Sequence, residues 1–328
     1  MGSEPVADSM ELMDALDARA ERRSERRDFF RRAMGAAAVV GAGGFVYANA
    51  AQAQTVTDAD VLNFALNLEY LEAQFYLYAA NGAGLPANQQ TGTGAQGAVS
   101  LTGPNPPRKV TFTDPIVSQY AQEIARDEAA HVAFLRTALG TAAVAQPALN
   151  ISGDANGAFT AAARAAKVVP ADGIFDPYAD DNSFLLGAYI FEDVGVTAYK
   201  GASPLISNRT FLEAAAGILA VEAYHAAIVR TTLYGKGVQT PALRTAADQI
   251  SDARDSLDGA TDLDQGISPT NVGGQLRSNI VPLDADGIPF SRTTGQVLNI
   301  VYLTRAAATM GGFFPAGVNG TIRSSAAN

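Results

Sequence analysis

Glu128-Ala129-Ala130-His131 has a twin further along the chain, Glu222-Ala223-Tyr224-His225. The two tetrads account for both histidines in the sequence. On a helix, residues three apart stand on one face, so each Glu and His can grip one cation together. Everything else in the chain can be read outward from these two pairs.

The residues three, four and seven positions from Glu128 are Ala121, Ile124, Ala125, His131, Val132 and Leu135. All but the histidine are apolar or small, so the pair lies in a buried stripe. Thr113-Asp114-Pro115 predicts the start of this helix, and Gly140 its end. Glu123, Arg126 and Asp127 fall off the stripe and are expected in solvent. Glu222 repeats the pattern with Ala215, Ile218, Leu219, His225, Ala226 and Val229. Its helix is expected from Asn208 or Thr210 to Tyr234, stopping at Gly235.

Each of these helices follows another that carries an acid at the centre of an apolar stripe. The first starts at Thr57-Asp58-Ala59-Asp60, a cap with acids in the opening turn, and stops at Asn81-Gly82. Glu69 sits among Leu62, Ala65, Leu66, Ala73 and Tyr76, with Glu72 one turn on as the rival ligand. The other starts at Asp181-Asn182-Ser183 and stops at Lys200-Gly201, with Glu192 among Leu185, Ala188, Tyr189, Gly195, Val196 and Tyr199. Asp193 shares a more polar face with Lys200, which favours Glu192. Burying an unpartnered carboxylate is costly; a shared metal removes the cost. Each half thus reads as a Glu helix followed by a Glu-x-x-His helix, with Tyr76 and Tyr199 each seven residues after its own glutamate. The tyrosines are candidates to hydrogen-bond the site or to pass an electron, or are satisfied core residues.

Two such halves supply the donor set of a two-metal carboxylate site in an all-α four-helix bundle. The candidate ligands are Glu69, Glu128, His131, Glu192, Glu222 and His225. The ions are two iron or two manganese, since carboxylates favour hard ions and imidazole suits iron. The long connection over residues 140–181, with a short helix near 156–167, allows a crossover along the bundle. Residues 81–112 read as a surface loop with short strands near Val110–Phe112.

Residues 236–328 form a C-terminal extension, with helices expected over Thr240–Asp258 and Ser291–Thr304 and a turn at Gly311-Gly312-Phe313-Phe314-Pro315. It either wraps the bundle or forms a subunit interface in a homo-oligomer; exposed phenylalanines would favour the interface. At the other end, Arg26-Arg27-Asp28-Phe29-Phe30 precedes an Ala/Gly-rich apolar run that closes in Ala48-Asn49-Ala50-Ala51-Gln52-Ala53. This resembles a twin-arginine export signal, cleaved after Ala53 and handled by the twin-arginine machinery, so a periplasmic or otherwise exported bundle over 54–235 is expected. The alternative is an uncleaved basic amphipathic helix.

Composition narrows the chemistry. The net charge of −10 argues against nucleic acid as a partner, because phosphate binding needs clustered cations. The absence of cysteine excludes disulfides and thiolate ligands.

Asn67-Leu68-Glu69-Tyr70-Leu71-Glu72-Ala73-Gln74-Phe75-Tyr76, Asp127-Glu128-Ala129-Ala130-His131, Phe191-Glu192-Asp193-Val194-Gly195 and Val221-Glu222-Ala223-Tyr224-His225 resemble motifs of the ferritin-like superfamily. The resemblance is to its exported bacterial branch, related to plant desiccation-related proteins, and spans roughly residues 57–235. It implies Glu69, Glu128 and His131 on one metal and Glu192, Glu222 and His225 on the other, with Glu128 and Glu222 as bridges. Ferritins, bacterioferritins, rubrerythrins and manganese catalases fit the pattern equally, though the long loops depart from cage-forming ferritins. The activity implied is redox chemistry on Fe(II) with O₂ or peroxide, or peroxide dismutation, in stress protection. The alternatives are a stress or desiccation protein whose metal is structural, and a metal-free bundle with relic ligands.

Overall fold

Every bundle helix begins at the cap its sequence offers. The computed structural model describes residues 56–328; the expected signal segment, 1–53, lies outside the described residues. Helix α1 (Asp58–Asn81) starts with a reciprocal capping box between Thr57 and Asp60 and ends at Gly82, whose φ of 80° is left-handed. Helix α2 (Pro115–Leu139) starts where Asp114 accepts from the Ile116 N–H at 3.0 Å. The short α3 (Ala158–Ala165) lies in the crossover. Asp180 caps α4 (Asp181–Ala202) and Asn208 caps α5 (Arg209–Gln239).

Two matching braces join the halves. Asp58, the first residue of α1, accepts from the Ser207 and Asn208 N–H groups at 2.7 and 2.9 Å, just before α5. Asp181, the first residue of α4, accepts from the Thr113 and Asp114 N–H groups at 3.0 and 3.2 Å, just before α2. The internal repeat is therefore structural as well as sequential. Gln122 reaches the Ala80 carbonyl and Arg136 reaches Tyr70, so α1 and α2 run antiparallel. Arg230 reaches Asp193, and a Cβ on Gly195 would touch Glu222, so α4 and α5 do the same. Because α4 starts beside the start of α2, the connection between them travels the length of the bundle, as in ferritin-type connectivity.

Burial divides the helices into two kinds. Residues 61–76 of α1 and 184–195 of α4 are all buried. Helices buried all round lie inside their domain, and the stripe expected on each describes only the side facing the other helices. Helices α2 and α5 keep a solvent face.

The C-terminal extension supplies much of the outer cover. It contains α6 (Ala242–Asp258), a hairpin of β1 (Thr270–Val272) and β2 (Gln275–Arg277), and α7 (Thr294–Tyr302). The hairpin turns at Gly273-Gly274, with φ of 61° and 82°, the conformation a two-residue turn with both central φ positive requires. Three buried arginines fasten the extension to the bundle. Asp193 of α4 pairs with Arg230 at 2.7 Å and Arg254 at 2.8 Å. Asp264 pairs with Arg254 at 2.8 Å and Arg292 at 2.7 Å, and Arg292 with Asp258 at 2.6 Å. Each charge has an opposite partner, as burial demands.

Phe313 and Phe314 are buried; the Phe313 ring lies 4.9 Å from Phe191 and 5.1 Å from Phe159, so of the two placements left open the extension here packs on the bundle. Two expectations need correction. Helix α5 runs through Gly235 to Gln239, and the boundary at 235 falls inside it. A Cβ on Gly235 would meet nothing within 4 Å, and Gly237 packs against Arg244, where a Cβ would meet the side chain at 2.4 Å. Among the described residues no strand forms at 110–112; Val110 makes one tie to the Ala79 carbonyl.

If Phe313 is core, Phe313→Ala should destabilise the protein by about 3–5 kcal/mol in urea denaturation. A change within about 0.5 kcal/mol, the value for a surface site, would contradict this packing.

Candidate metal centre

The centre is built from the middle turns of the four long helices. Glu69 comes from α1, Glu128 and His131 from α2, Glu192 from α4, and Glu222 and His225 from α5. All six are buried. His131 Nδ1 lies 3.2 Å from Glu69 Oε2, 3.5 Å from Glu128 Oε2 and 3.9 Å from Glu222 Oε1. His225 Nδ1 lies 3.0 Å from Glu128 Oε1 and 3.7 Å from Glu192 Oε2. Glu128 thus presents one oxygen to each imidazole. The ring centroids stand 6.3 Å apart. Ligand atoms of Glu69, Glu128, His131 and Glu222 all lie within 4.8 Å of one another, so this group could hold a metal ion.

The donors are held by their surroundings, and the repeat shows again in how. Tyr76 donates its hydroxyl hydrogen to Glu192, and Tyr199 donates to Glu69. Each tyrosine, placed seven residues after the glutamate of its own half, steadies the glutamate of the other half. Asp127 Oδ2 stands 3.4 Å from His225 Nε2, on the ring edge away from Glu128. A carboxylate there fixes the orientation of a ligating imidazole. The twin of Asp127 is Val221, which offers His131 no such carboxylate.

Eight buried side-chain polar atoms have no hydrogen-bond partner among the described residues, and six belong to this centre: both oxygens of Glu128, both of Glu222, Glu192 Oε2 and His225 Nδ1. Buried polar groups are normally satisfied. This concentration of unpartnered oxygens and an imidazole nitrogen between four helices fits a metal.

The electrostatics point the same way. Burial pushes the Glu69 carboxyl up to about 7, against the pull of His131. It pushes Glu192 up to about 8, against His225. Burial and neighbouring carboxylates drive Glu222 and Glu72 well above the ordinary range. Glu128 moves the other way: burial opposes its charge, but the two imidazoles hold it at about 2. Burial likewise opposes charge on the histidines, yet Glu69 and Glu128 raise His131 to about 11, and Glu128 and Glu192 raise His225 to about 9. With protons as the only cations, protons balance the crowded carboxylates.

Two features, the places of Asp127 and Asp193, escaped the sequence reading. Asp127 was expected in solvent but is half-buried against His225. Adjacent helical positions do not share a face, so nothing local in the sequence marked Asp127 for His225, which comes from another helix. Glu69 and its rival Glu72 are both buried on α1. Asp193, placed on a polar face, is buried between two arginines.

Comparison with known proteins agrees with this architecture. The ferritin-like domain family matches residues 57–235. A ferritin-like catalase, Nec2, from Nesocodon mauritianus is 32% identical over 275 residues, covering 81% of this chain and 84% of that protein. The desiccation-related protein PCC13-62 of Craterostigma plantagineum is 31% identical over 250 residues, covering 74% and 76% respectively. No solved structure matches the chain.

A metal needs deprotonated carboxylates and neutral imidazoles. Glu69 and Glu192, raised to about 7 and 8, hold protons below those values, and the histidines hold theirs up to about 11 and 9. A binding cation must expel them. Apparent affinity for Mn(II) should therefore rise from pH 6 to 9, with proton release seen as a buffer-dependent heat in titration calorimetry. Binding without proton release would contradict this charge balance.

Proposed function

This chain belongs to the ferritin-like domain family, and from that premise we propose that it is a di-metal carboxylate oxidoreductase acting on hydrogen peroxide. The observation that carries the reading is the likeness to a protein named as a catalase, extending over 81% of this chain. Glu69, Glu128 and His131 would hold one ion, and Glu192, Glu222 and His225 the other, with Glu128 and Glu222 between them. Oxygen-rich donors with imidazole suit two manganese or two iron ions. When bound, the ions supply the electron storage that dismutation needs. One peroxide is reduced to two waters and a second is oxidised to O₂, so the electrons balance without an outside reductant.

The protein's own groups have distinct tasks in this reading. Tyr76 and Tyr199 hold the terminal glutamates in place. Asp127 orients the His225 ring. The apolar inner helices exclude bulk water, which strengthens every charge interaction at the site. Oxidation of Fe(II) by O₂ or peroxide is the neighbouring activity on the same ligands.

A second reading rests on the likeness to a desiccation-related protein: a stress protein whose metal is structural. Oxygen evolution from peroxide by Mn- or Fe-loaded protein separates the two. The enzyme reading expects turnover that Glu128→Ala and His225→Ala abolish while the helical circular dichroism persists. If the wild type evolves no oxygen and the substitutions only lower Tm, the structural-metal reading stands in its place.

We also propose that the chain is exported by the twin-arginine route, which carries folded proteins and so allows the ions to be loaded beforehand. The paired Arg26-Arg27 and the small residues up to Ala53 support it. Protein isolated from its native host should begin at Gln54; a chain still starting at Met1 would refute the cleaved signal.

A further inference from the structure

Resting on the di-metal reading above, we propose that ions and peroxide enter the centre at one place, the outer edge of the His131 ring, and that Val221 stands at that threshold. The six ligands are not equally sealed. His131 is 8% exposed, whereas the other five are 2% exposed or less. The exposure falls on the far side of its ring. His131 Nδ1 faces Glu69, Glu128 and Glu222. Nε2 has no hydrogen-bond partner among the described residues, yet it is not one of the buried atoms left without one, so it meets solvent. The imidazole thus spans the wall of the bundle, with one nitrogen at the centre and the other in water. His225 is closed at the same edge: its Nε2 has Asp127 Oδ2 at 3.4 Å, and the half-buried Asp127 takes the solvent contact in its place.

The register of α2 and α5 shows what stands at the open edge. Lys236 and Asp114 pair at 3.0 Å, which joins the end of α5 to the start of α2, so the two helices run antiparallel. Each of these residues lies fourteen positions from the glutamate of its own tetrad, Glu222 or Glu128. Positions equally far from the two glutamates, in opposite directions, therefore face each other. Asp127, one residue before Glu128, reaches the histidine three residues after Glu222. By the same offset Val221, one residue before Glu222, stands toward His131, three residues after Glu128. Val221 is half-buried, and its neighbours at this rim, Ala130 and Ala220, are exposed and small. A carboxylate closes one ring edge with a hydrogen bond. Valine has no group that can bond an imidazole, so the other edge stays open to water and to molecules near its size. Hydrogen peroxide is such a molecule, and being uncharged it is not repelled by an apolar threshold.

The test exploits the absence of cysteine. Val221→Cys in the full chain gives one thiol, which methanethiosulfonates of increasing bulk can cap and a phosphine can free. Metal-stripped protein is mixed with Co(II), and the visible absorption of the ion follows uptake. A benzyl cap at Val221 should slow uptake about tenfold or more, since an entrance that must first open lowers the association rate. A methyl cap should act less, and freeing the thiol should restore the rate, which separates blocking from unfolding. Val221→Phe, which needs no cap, should slow uptake in the same direction. The final uptake should stay at that of the wild type. Ala223→Cys is the control: Ala223 is exposed and faces Asp127 on the closed side, and a benzyl cap there should leave the rate within about twofold. Equal slowing at both positions, slowing at Ala223 alone, or slowing at neither overturns the entrance assignment and leaves the di-metal reading standing. A wild type that takes up no Co(II) overturns the di-metal reading, and this assignment with it.

Discussion

The structure depends on one electrostatic constraint: five glutamates and two histidines are shut between four helices with no bulk water among them. Like charges at that density repel strongly in a medium of low dielectric. Some cation must sit among them, whether protons on imidazole and carboxyl or a metal. The helices are arranged around that need. The inner pair, α1 and α4, carries the terminal acids and is covered on every side. The outer pair, α2 and α5, carries the two Glu-x-x-His tetrads and accepts a solvent face. Reciprocal tyrosine contacts across the halves then keep the acids from drifting toward whichever cation is nearer.

Much of this was legible in the chain. Two histidines, each three residues after a glutamate and each in a stripe of Ala, Ile, Leu and Val, leave little freedom in assigning faces. The stops at Gly82 and Gly140 and the caps at Thr57 and Asp114 follow from local chemistry that needs no distant partner. What stayed hidden depends on residues far away along the chain. Arg230, Arg254 and Arg292 look like ordinary solvated charges until Asp193, Asp258 and Asp264 are brought to them. Phe313 and Phe314 sit in a glycine-rich turn, and only the fold shows that the turn enters the core. Gly235 fails as a stop because a single helical glycine costs only about 1 kcal/mol, which packing on either side overcomes.

The repeat is imperfect in informative places. Asp127 answers to Val221, and Glu72 to Gly195. Both departures fall beside the centre, whereas the braces at Asp58 and Asp181 and the tyrosines match. The scaffold keeps its approximate twofold symmetry, and the surroundings of the two imidazoles do not. His225 has a carboxylate at its far ring edge, and the residue answering to Asp127 gives His131 none.

The hydrogen bonds between Asn67 and Asn319 join residues 252 positions apart. Contacts of such separation form late, because closing a long loop costs entropy before any contact repays it. On a chain made from its N-terminus, α1 must wait for residue 319 to emerge before these contacts can cover it. Until then the apolar residues of a helix that ends buried on every side are open to misassociation. The order of synthesis thus leaves the outer side of α1 accessible while the bundle gathers, until the segment carrying Asn319 arrives.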